Sequence, residues 1–458
     1  MRMPASTLHR LLAATVLAVA SFGAPLVAQG APRTKVVVIS LDAFAAHSLH
    51  ETRLPAPTLR ALMRSGGYAV SMRPINPTIT WPNHTSMVTG ADASRHHVLM
   101  NGLITGQRRD APPKVDMQAS KATLVAVPTV YDAAHAAGLT TAQVDWVAIM
   151  RAPSIDWQFA EHPDPDGPIA RDLVADGVLS RDDLAHFGDA SQAWRDRIYT
   201  RAAVDIIRKH HPDLLLVHLL ALDSIEHDTG YGNDAGRNTI AFLDDRVADI
   251  VRAVREAGEL PNTAFLIVSD HGQRSVHWRL RPNVLLAQAG LQASDAKQAA
   301  YSLAGDGYAL VYQRHATPAS LAILRKLLAG RQGIAQALTP AEAARLGWPT
   351  PAQSMQAPDL LLYAKADYTF RDGAEGAYAT HGSEIGDHGY PNTDPLMQGI
   401  FIATGRGVLH AGEVPAVSVM DVAPTIAALL GIPFASPQGK PIASVLAPSA
   451  VPAPTVGH

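Results

Sequence analysis

Val36-Val37-Val38-Ile39-Ser40-Leu41-Asp42 is a run of mostly β-branched apolar residues that stops at an aspartate. A strand with one face in water alternates apolar and polar positions. A run that is apolar almost throughout fits a strand buried on both faces, as in a parallel sheet. The pattern returns at Leu214 to Leu222, followed by Asp223, and at Ala264 to Ser269, followed by Asp270. Helical patterns lie between these runs, over Ser191 to His210 and Ala235 to Ala257. Strands alternating with helices predict an open α/β fold, in which ligands gather at the carboxyl ends of the strands. Three aspartates therefore fall at one edge of one predicted sheet. Gly399 to Ala403 and a helix over Asp421 to Leu430 bring the chain back to the same core.

Two stretches interrupt that core. Gly102 to about Gly188 is rich in Pro, Asp and Gly and reads as partly irregular. Roughly Gln273 to Thr380 mixes strand and helix patterns, at Tyr308 to Tyr312, Pro318 to Leu328 and Leu360 to Tyr363. It reads as an inserted α/β cap within a catalytic domain over residues 33–446. The tail, 447–458, is expected to be mobile.

A chain of 458 residues, 47% hydrophobic and 17% charged, has ordinary globular composition and length enough for a large core. A net charge of -3 supplies no bulk basic field, so no stable nucleic-acid partner is expected. Residues 1–28 read as a signal peptide. Arg2 and Arg10 precede or open a short apolar run, Leu11 to Ala20, and small residues around Leu26-Val27-Ala28 offer a cleavage site. The run is shorter than the ~20 residues a membrane span needs. The expectation is an exported protein, periplasmic or secreted, with no membrane span after cleavage. There is no cysteine, which removes thiolate metal sites and cysteine nucleophiles, while histidine is abundant at 20 residues. Any bound zinc must be held by His and carboxylate.

Such a site wants three or four ligands with room left for substrate. The sequence offers Asp42, the spaced pair Asp223 and His227, the adjacent pair Asp270-His271, and His388 in Gly386-Asp387-His388-Gly389. Gly272 reads as the residue that lets the chain turn away after the Asp-His pair. Each piece alone has an ordinary explanation, because Asp is favoured at turns and helix caps. Six ligand-type residues at the loops of one sheet edge do not. A hydroxyl sits nearby in Asn76-Pro77-Thr78-Ile79-Thr80-Trp81-Pro82-Asn83-His84, followed by Val88-Thr89-Gly90. A threonine hydroxyl is a poor nucleophile until a base or a divalent ion lowers its pKa. The plainer reading is that Thr78 or Thr80 caps a helix beginning near Asn83. A helix start also presents N–H groups to a phosphate.

The stretch Thr-Ile-Thr-Trp-Pro-Asn-His, then Val-Thr-Gly, then Arg95-His96-His97-Val98-Leu99-Met100-Asn101, resembles the nucleophile segment of the nucleotide pyrophosphatase/phosphodiesterases of the alkaline phosphatase superfamily. The likeness continues through Asp42, Asp223 to His227, Asp270-His271, Gly386 to Tyr390 and Asp421-Val422-Ala423-Pro424-Thr425, over about residues 35–435. It implies an alkaline-phosphatase-like, open and mainly parallel sheet flanked by helices, with the cap inserted. It also implies two Zn2+ ions, one held by Asp223, His227 and His388, the other by Asp42, Asp270 and His271 with Thr80 beside it. Other first-row divalent metals suit the same donors. Thr80 would be the nucleophile. Asn101 would bond a phosphoryl oxygen, with help from the backbone N–H of Trp81, although a turn before Gly102 is the plainer reading of Asn101. The implied substrate is a small phosphoester.

The chain departs from the family pattern at Ala43, Glu226, His97 and Trp81, none of them an implied ligand. His84, His96, His97 and His381 read as structural neighbours, and Trp81, Trp146 and Trp157 as either pocket wall or core. The implied activity is metal-dependent hydrolysis of phosphodiester or pyrophosphate bonds through a phospho-threonine. The alternatives are a phosphate monoesterase, a phosphonoacetate hydrolase, or a non-catalytic metal-binding protein. Related monoesterases carry a Lys-x-Arg pair, and this chain has none, which favours the diester; Arg151 is the basic residue in a comparable region. Without Cys or Ser-x-Pro-x-Arg there is no formylglycine precursor, so a sulfatase is disfavoured.

Overall fold

Alternation along the strand Lys35–Leu41 sends Val36 and Val38 into one apolar layer and Val37, Ile39 and Leu41 into another. The strand is thus buried on both faces. In the computed structural model, which describes residues 33–293, 296–436 and 438–448, it lies inside an eight-stranded sheet. From one edge the order is Gly412–Val414, Gly67–Ala69, Phe401–Gly405, Thr263–Val268, Lys35–Leu41, Leu214–Leu219, Thr141–Val144 and Trp157–Phe159. The last five are mutually parallel. Phe401–Gly405 runs antiparallel to both of its neighbours. Ser40 is in register with both His218 and Val268, so the three central strands end at one level. That common ending brings Asp42 and Asp270 to one sheet edge.

The helices Gln192–His210 and Asp234–Glu256 cover the Val37/Ile39/Leu41 face. The helices Thr80–Thr89, Val130–Ala136 and Val422–Leu430 cover the Val36/Val38 face. The stretch from Gly102 to Gly188 is less irregular than its composition predicts, because Thr141–Val144 and Trp157–Phe159 extend the main sheet. These strands have four and three residues, too few for a period to show, and Thr141 and Gln143 are buried polar residues. Their side chains are bonded inside the protein: Gln143 accepts from the Trp146 N–H at 2.9 Å, and Thr141 donates to the Ser154 carbonyl.

Residues 274–387 build two more sheets. Ala300–Gly305, Tyr308–Gln313, Leu360–Ala364 and Ile334–Leu338 form an antiparallel four-stranded one, and Arg274–Leu280 pairs with both Ala379–Asp387 and Tyr368–Phe370. Val276, Leu286, Val311, Leu324 and Phe370 contribute to an apolar core of their own. The Tyr308 hydroxyl donates to the Leu99 carbonyl at 2.6 Å and so fastens the hairpin Ala300–Gln313 to the segment before Asn101. No helix among the described residues is long and apolar enough to cross a membrane. The expected signal peptide and residues 449–458 of the tail lie outside the described residues.

Leu216, fully buried in the middle of a central strand, tests this arrangement. Leu216→Ala is expected to destabilise the protein by about 2–5 kcal/mol, the range for an unrelaxed core cavity. The measurement is urea unfolding, and a loss under ~1 kcal/mol would contradict a central position for this strand.

Candidate active site

The helix Thr80–Thr89 starts three residues earlier than its sequence predicts, with Ile79 at the cap position and no side-chain cap. Neither threonine caps it. The Thr78 hydroxyl donates to the Tyr390 carbonyl at 2.6 Å, and the Gly389 N–H donates to the Thr78 carbonyl at 3.0 Å. The segment before Thr80 is thereby stitched to the loop that carries His388. Asn83 fixes the same segment from the other side. It accepts from the Ile75 N–H at 2.8 Å and donates to the Pro77 and Ile79 carbonyls, each at 2.9 Å. Pro82 stands in the first turn, where a missing N–H costs nothing. The result is a held hydroxyl: Thr80 Oγ1 lies 3.4 Å from His271 Nε2.

Around that hydroxyl the expected ligands form two groups. In one, His271 Nε2 lies 3.4 Å from Asp42 Oδ1 and 3.2 Å from Asp270 Oδ2. In the other, His227 Nε2, His388 Nε2 and Asp223 Oδ1 are separated by 3.1, 3.4 and 3.6 Å. The tetrahedron around an ion with ligands at 2.0–2.2 Å has edges of about 3.3–3.6 Å. Both sets fit such an ion. Asp223 and His388 also group with His271, within 4.8 Å. Asp42 Oδ1 and Asp270 Oδ2 are buried with no hydrogen-bond partner, as a cation-facing pair of oxygens would be.

Asp223 does not end its strand. The strand stops at Leu219, and Asp223 and His227 sit one turn apart on the helix Ala221–Thr229. That helix has no side-chain cap from its own start. The buried Asp196, from the helix Gln192–His210, accepts the Leu220 and Ala221 N–H groups at 3.2 and 2.8 Å instead. Gly272 matters for space rather than for an unusual dihedral: a Cβ there would lie 2.1 Å from the Leu396 carbonyl oxygen.

Electrostatics follow from burying so many ionisable groups together. Burial, then the charge of Asp223, pushes the Asp42 carboxyl well above the usual range. Burial, then Asp42, does the same to Asp270. Burial pulls the imidazoles of His271 and His388 down to about 4 and about 3. Burial opposes charge on Asp223 and His227 as well, but nearby opposite charges together outweigh it: Asp223, beside His227, His388 and His271, lies below its ordinary value, and His227, beside Asp223, Asp387 and Asp306, lies well above. A divalent ion between such groups favours ionised carboxylates and neutral imidazoles, so the donor set fits one chemically.

Asn101 lies where the N–H of Trp81 donates to its Oδ1 at 3.0 Å. This alters the sequence expectation, since the Trp81 N–H is taken and serves to orient the amide. The Asn101 Nδ2 remains as the donor. Thr80, Asn101, Asp223, His227, His388 and Asp306 line a cavity of about 180 Å³. A larger cavity of about 350 Å³, with Trp146, Ile149, Phe159 and Arg151 in its walls, shares Trp81, Met117, Val147 and Glu161 with it. Trp157 lines neither and stacks on His210 at 3.5 Å.

Several participants carry no sequence signal of their own. Gln273 Nε2 donates to Asp223 Oδ1 at 2.7 Å. Asp306, at φ +67°, is pushed up to about 7 by burial and then by Asp387, and Arg371 bridges the two at 2.9 and 2.8 Å. Of the histidines set aside, His84 Nδ1 is 3.0 Å from the Thr80 carbonyl and 3.5 Å from Asp270 Oδ2. His96 bonds Ser86, with ring nitrogen to hydroxyl at 3.2 Å, His97 is the left-handed residue after a short helix, and His381 stacks on His277.

The pattern of the type I phosphodiesterase / nucleotide pyrophosphatase family matches residues 36–391. The chain belongs to this family. Human ectonucleotide pyrophosphatase/phosphodiesterase family member 7 is 27% identical over 279 residues, 61% of this chain and 56% of that protein. Human member 1 is 35% identical over 83 residues, 18% of this chain and 9% of that protein. The chain thus spans about half or less of the curated relatives it matches. Among solved structures, murine ectonucleotide pyrophosphatase/phosphodiesterase 5 superposes with a TM-score of 0.69 at 16% identity, over 90% of this chain and 100% of that one. An inactive form of the murine protein in complex with AMP gives 0.67 at 16% identity, over 87% and 96%. At that identity the likeness establishes the alkaline-phosphatase-like fold.

Two outcomes test the family site's geometry. Adding zinc to chelator-treated protein is expected to release protons, because burial raises the Asp42 and Asp270 carboxyls and Asp223, against burial, raises His227, each toward its protonated form, whereas a bound ion favours the deprotonated one. Titration calorimetry in buffers of different ionisation enthalpy measures the release, and none would mean these groups are already in their ion-binding forms. Gly272→Ala is expected to displace His271 and lower zinc content, read by elemental analysis.

Proposed function

We propose that the protein is a two-zinc phosphodiesterase acting on nucleotide-type diester or pyrophosphate bonds, with Thr80 as nucleophile. One observation carries this reading: the Thr80 hydroxyl, held at a helix start, adjoins two ligand triads whose separations suit divalent ions. Membership in the family supports the reaction class, and the AMP complex of the murine relative supports a nucleotide-type substrate.

When bound, the two ions would supply Lewis-acid chemistry, lowering the hydroxyl pKa and offsetting charge on the phosphoryl group. Asp42, Asp270 and His271 would hold one of them and Asp223, His227 and His388 the other. Thr80 Oγ1 attacks phosphorus while the bond to the leaving oxygen breaks, and the hydroxyl proton passes to that departing oxygen. Water then attacks the phospho-threonine, releasing the phosphoryl group and restoring the hydroxyl. Asn101 Nδ2 donates to a phosphoryl oxygen, its amide orientation set by the Trp81 N–H. Among the described residues, the wall of the 180 Å³ cavity includes no Lys or Arg, so the extra charge of a monoester would go unmatched. The neighbouring cavity, reached past Trp81, takes the ester arm that stays on phosphorus. The hairpin bearing Asp306 and the sheets around it act as a cap, and residues 1–28 act as a leader that directs export and is then cleaved.

Hydrolysis of bis-aryl and mono-aryl phosphate should show a strong diester preference, abolished by Thr80→Ala. A Thr80-dependent monoester preference would keep the nucleophile and overturn the substrate class. Asp270→Ala should abolish turnover and lower zinc content. Asn101→Ala should cost roughly 10²–10³ in turnover with zinc content unchanged, the usual effect of removing one oxyanion donor.

A further inference from the structure

We infer that His218 is a positioning residue for Asp42, holding one carboxylate oxygen so that the other faces the ion position shared with Asp270, His271 and Thr80. This rests on the proposed reading of Asp42 as a metal ligand. Alternation along the strand Leu214–Leu219 puts Leu214, Leu216 and His218 on one face, and the two leucines belong to the apolar layer under the Thr80 helix. A third apolar side chain would suit that layer. An imidazole with no exposed surface stands there instead, and burying one is costly unless its nitrogens are bonded.

Both nitrogens have partners. When Asp42 is ionised, as a metal ligand must be, its Oδ2 can only accept, so His218 Nε2 donates the bond at 2.9 Å, and the Asp145 carbonyl beside Nδ1 then makes the ring a double donor. His218 Nδ1 lies 3.1 Å from the backbone carbonyl of Asp145. That carbonyl is itself fixed: Asp145 follows the strand Thr141–Val144 with φ +56°, and its N–H donates to the Phe159 carbonyl at 2.8 Å. The Asp42 carboxylate is therefore divided. Oδ2 is bound to His218, while Oδ1 has no hydrogen-bond partner and stands 3.4 Å from His271 Nε2. Carboxylate ligands held by a hydrogen bond on the second oxygen are pre-aimed, and loss of such a partner typically costs about 10–100-fold in metal affinity or activity.

The two ion positions are backed differently. At the Thr80 position the backing imidazole is His218, bonded to Asp42; the ring of His84, 4.2 Å from it, places its Nδ1 on the Thr80 carbonyl. The other position is backed by the Gln273 amide on Asp223 and by the Gly386 carbonyl, 3.0 Å from His227 Nδ1. Loss of His218 should therefore weaken the Thr80-side ion selectively.

The test is metal content after dialysis against a weak chelator, with cobalt absorption spectra and steady-state kinetics, for wild type, Asp42→Asn, His218→Phe and His218→Gln. His218→Phe is expected to lose one of two ions, with affinity at that position falling roughly 10–100-fold. Its kcat should fall with KM little changed. His218→Gln keeps an amide N–H near Oδ2 and should recover most of both, which a purely structural role would not predict. It also keeps the test open if the Phe variant folds poorly. Wild-type metal affinity and cobalt spectrum in His218→Phe, or a Gln variant no better than Phe, would overturn the inference. Two ions retained by Asp42→Asn would instead overturn the reading of Asp42 as a ligand.

Discussion

The constraint on which the rest depends is the crowding of buried charge at one edge of the main sheet. Asp42, Asp223 and Asp270 lie close together among His227, His271 and His388, and most of them have almost no exposed surface. Carboxylates stripped of water and set side by side repel one another and favour protonation, as the upward shifts of Asp42 and Asp270 express. A fold keeps such a cluster by holding its backbone rigidly, and a bound cation would offset the repulsion. The parallel register provides the first, because three neighbouring strands end at the same level. The donor set, rich in imidazole and free of thiol, is matched to the second.

Rigidity comes from polar ties between elements distant in sequence. Thr78 and Gly389 join the Thr80 segment to the His388 loop, Asp196 seats the helix bearing Asp223 and His227, and Tyr308 fastens the hairpin that brings Asp306 to the cavity. Each tie uses a group that would be costly to bury alone. The same bonds that satisfy buried polar atoms therefore also aim the side chains, and specificity of position comes with stability.

Much of this was legible from residues alone where a physical rule is strong and local. The almost wholly apolar run Val36 to Leu41 announces a strand buried on both faces, and the runs before Asp223 and Asp270 announce its neighbours. The short strands Thr141–Val144 and Trp157–Phe159 escaped notice because periodicity needs length and because buried Thr and Gln look polar until their partners are seen. The helix start at Thr80 was misplaced because its stabilising bonds come from Asn83 and Tyr390 rather than from a local cap. Glycine at 272 was recognisable as special, but the carbonyl that forbids a Cβ there belongs to Leu396.

The sequence by itself determined which residue types are present to do chemistry, and in what order: a hydroxyl, carboxylates and imidazoles at loop positions, no thiol, and no Lys-x-Arg. These follow from composition and short-range pattern, which act over a few residues. The resemblance already implied that His227 groups with Asp223 and His388, and tertiary structure alone decided what surrounds these groups: it turned the Trp81 N–H toward Asn101 and set His218 behind Asp42. Pairing depends on distances between segments separated by tens to hundreds of residues, and only the packed sheet and its layers fix those distances.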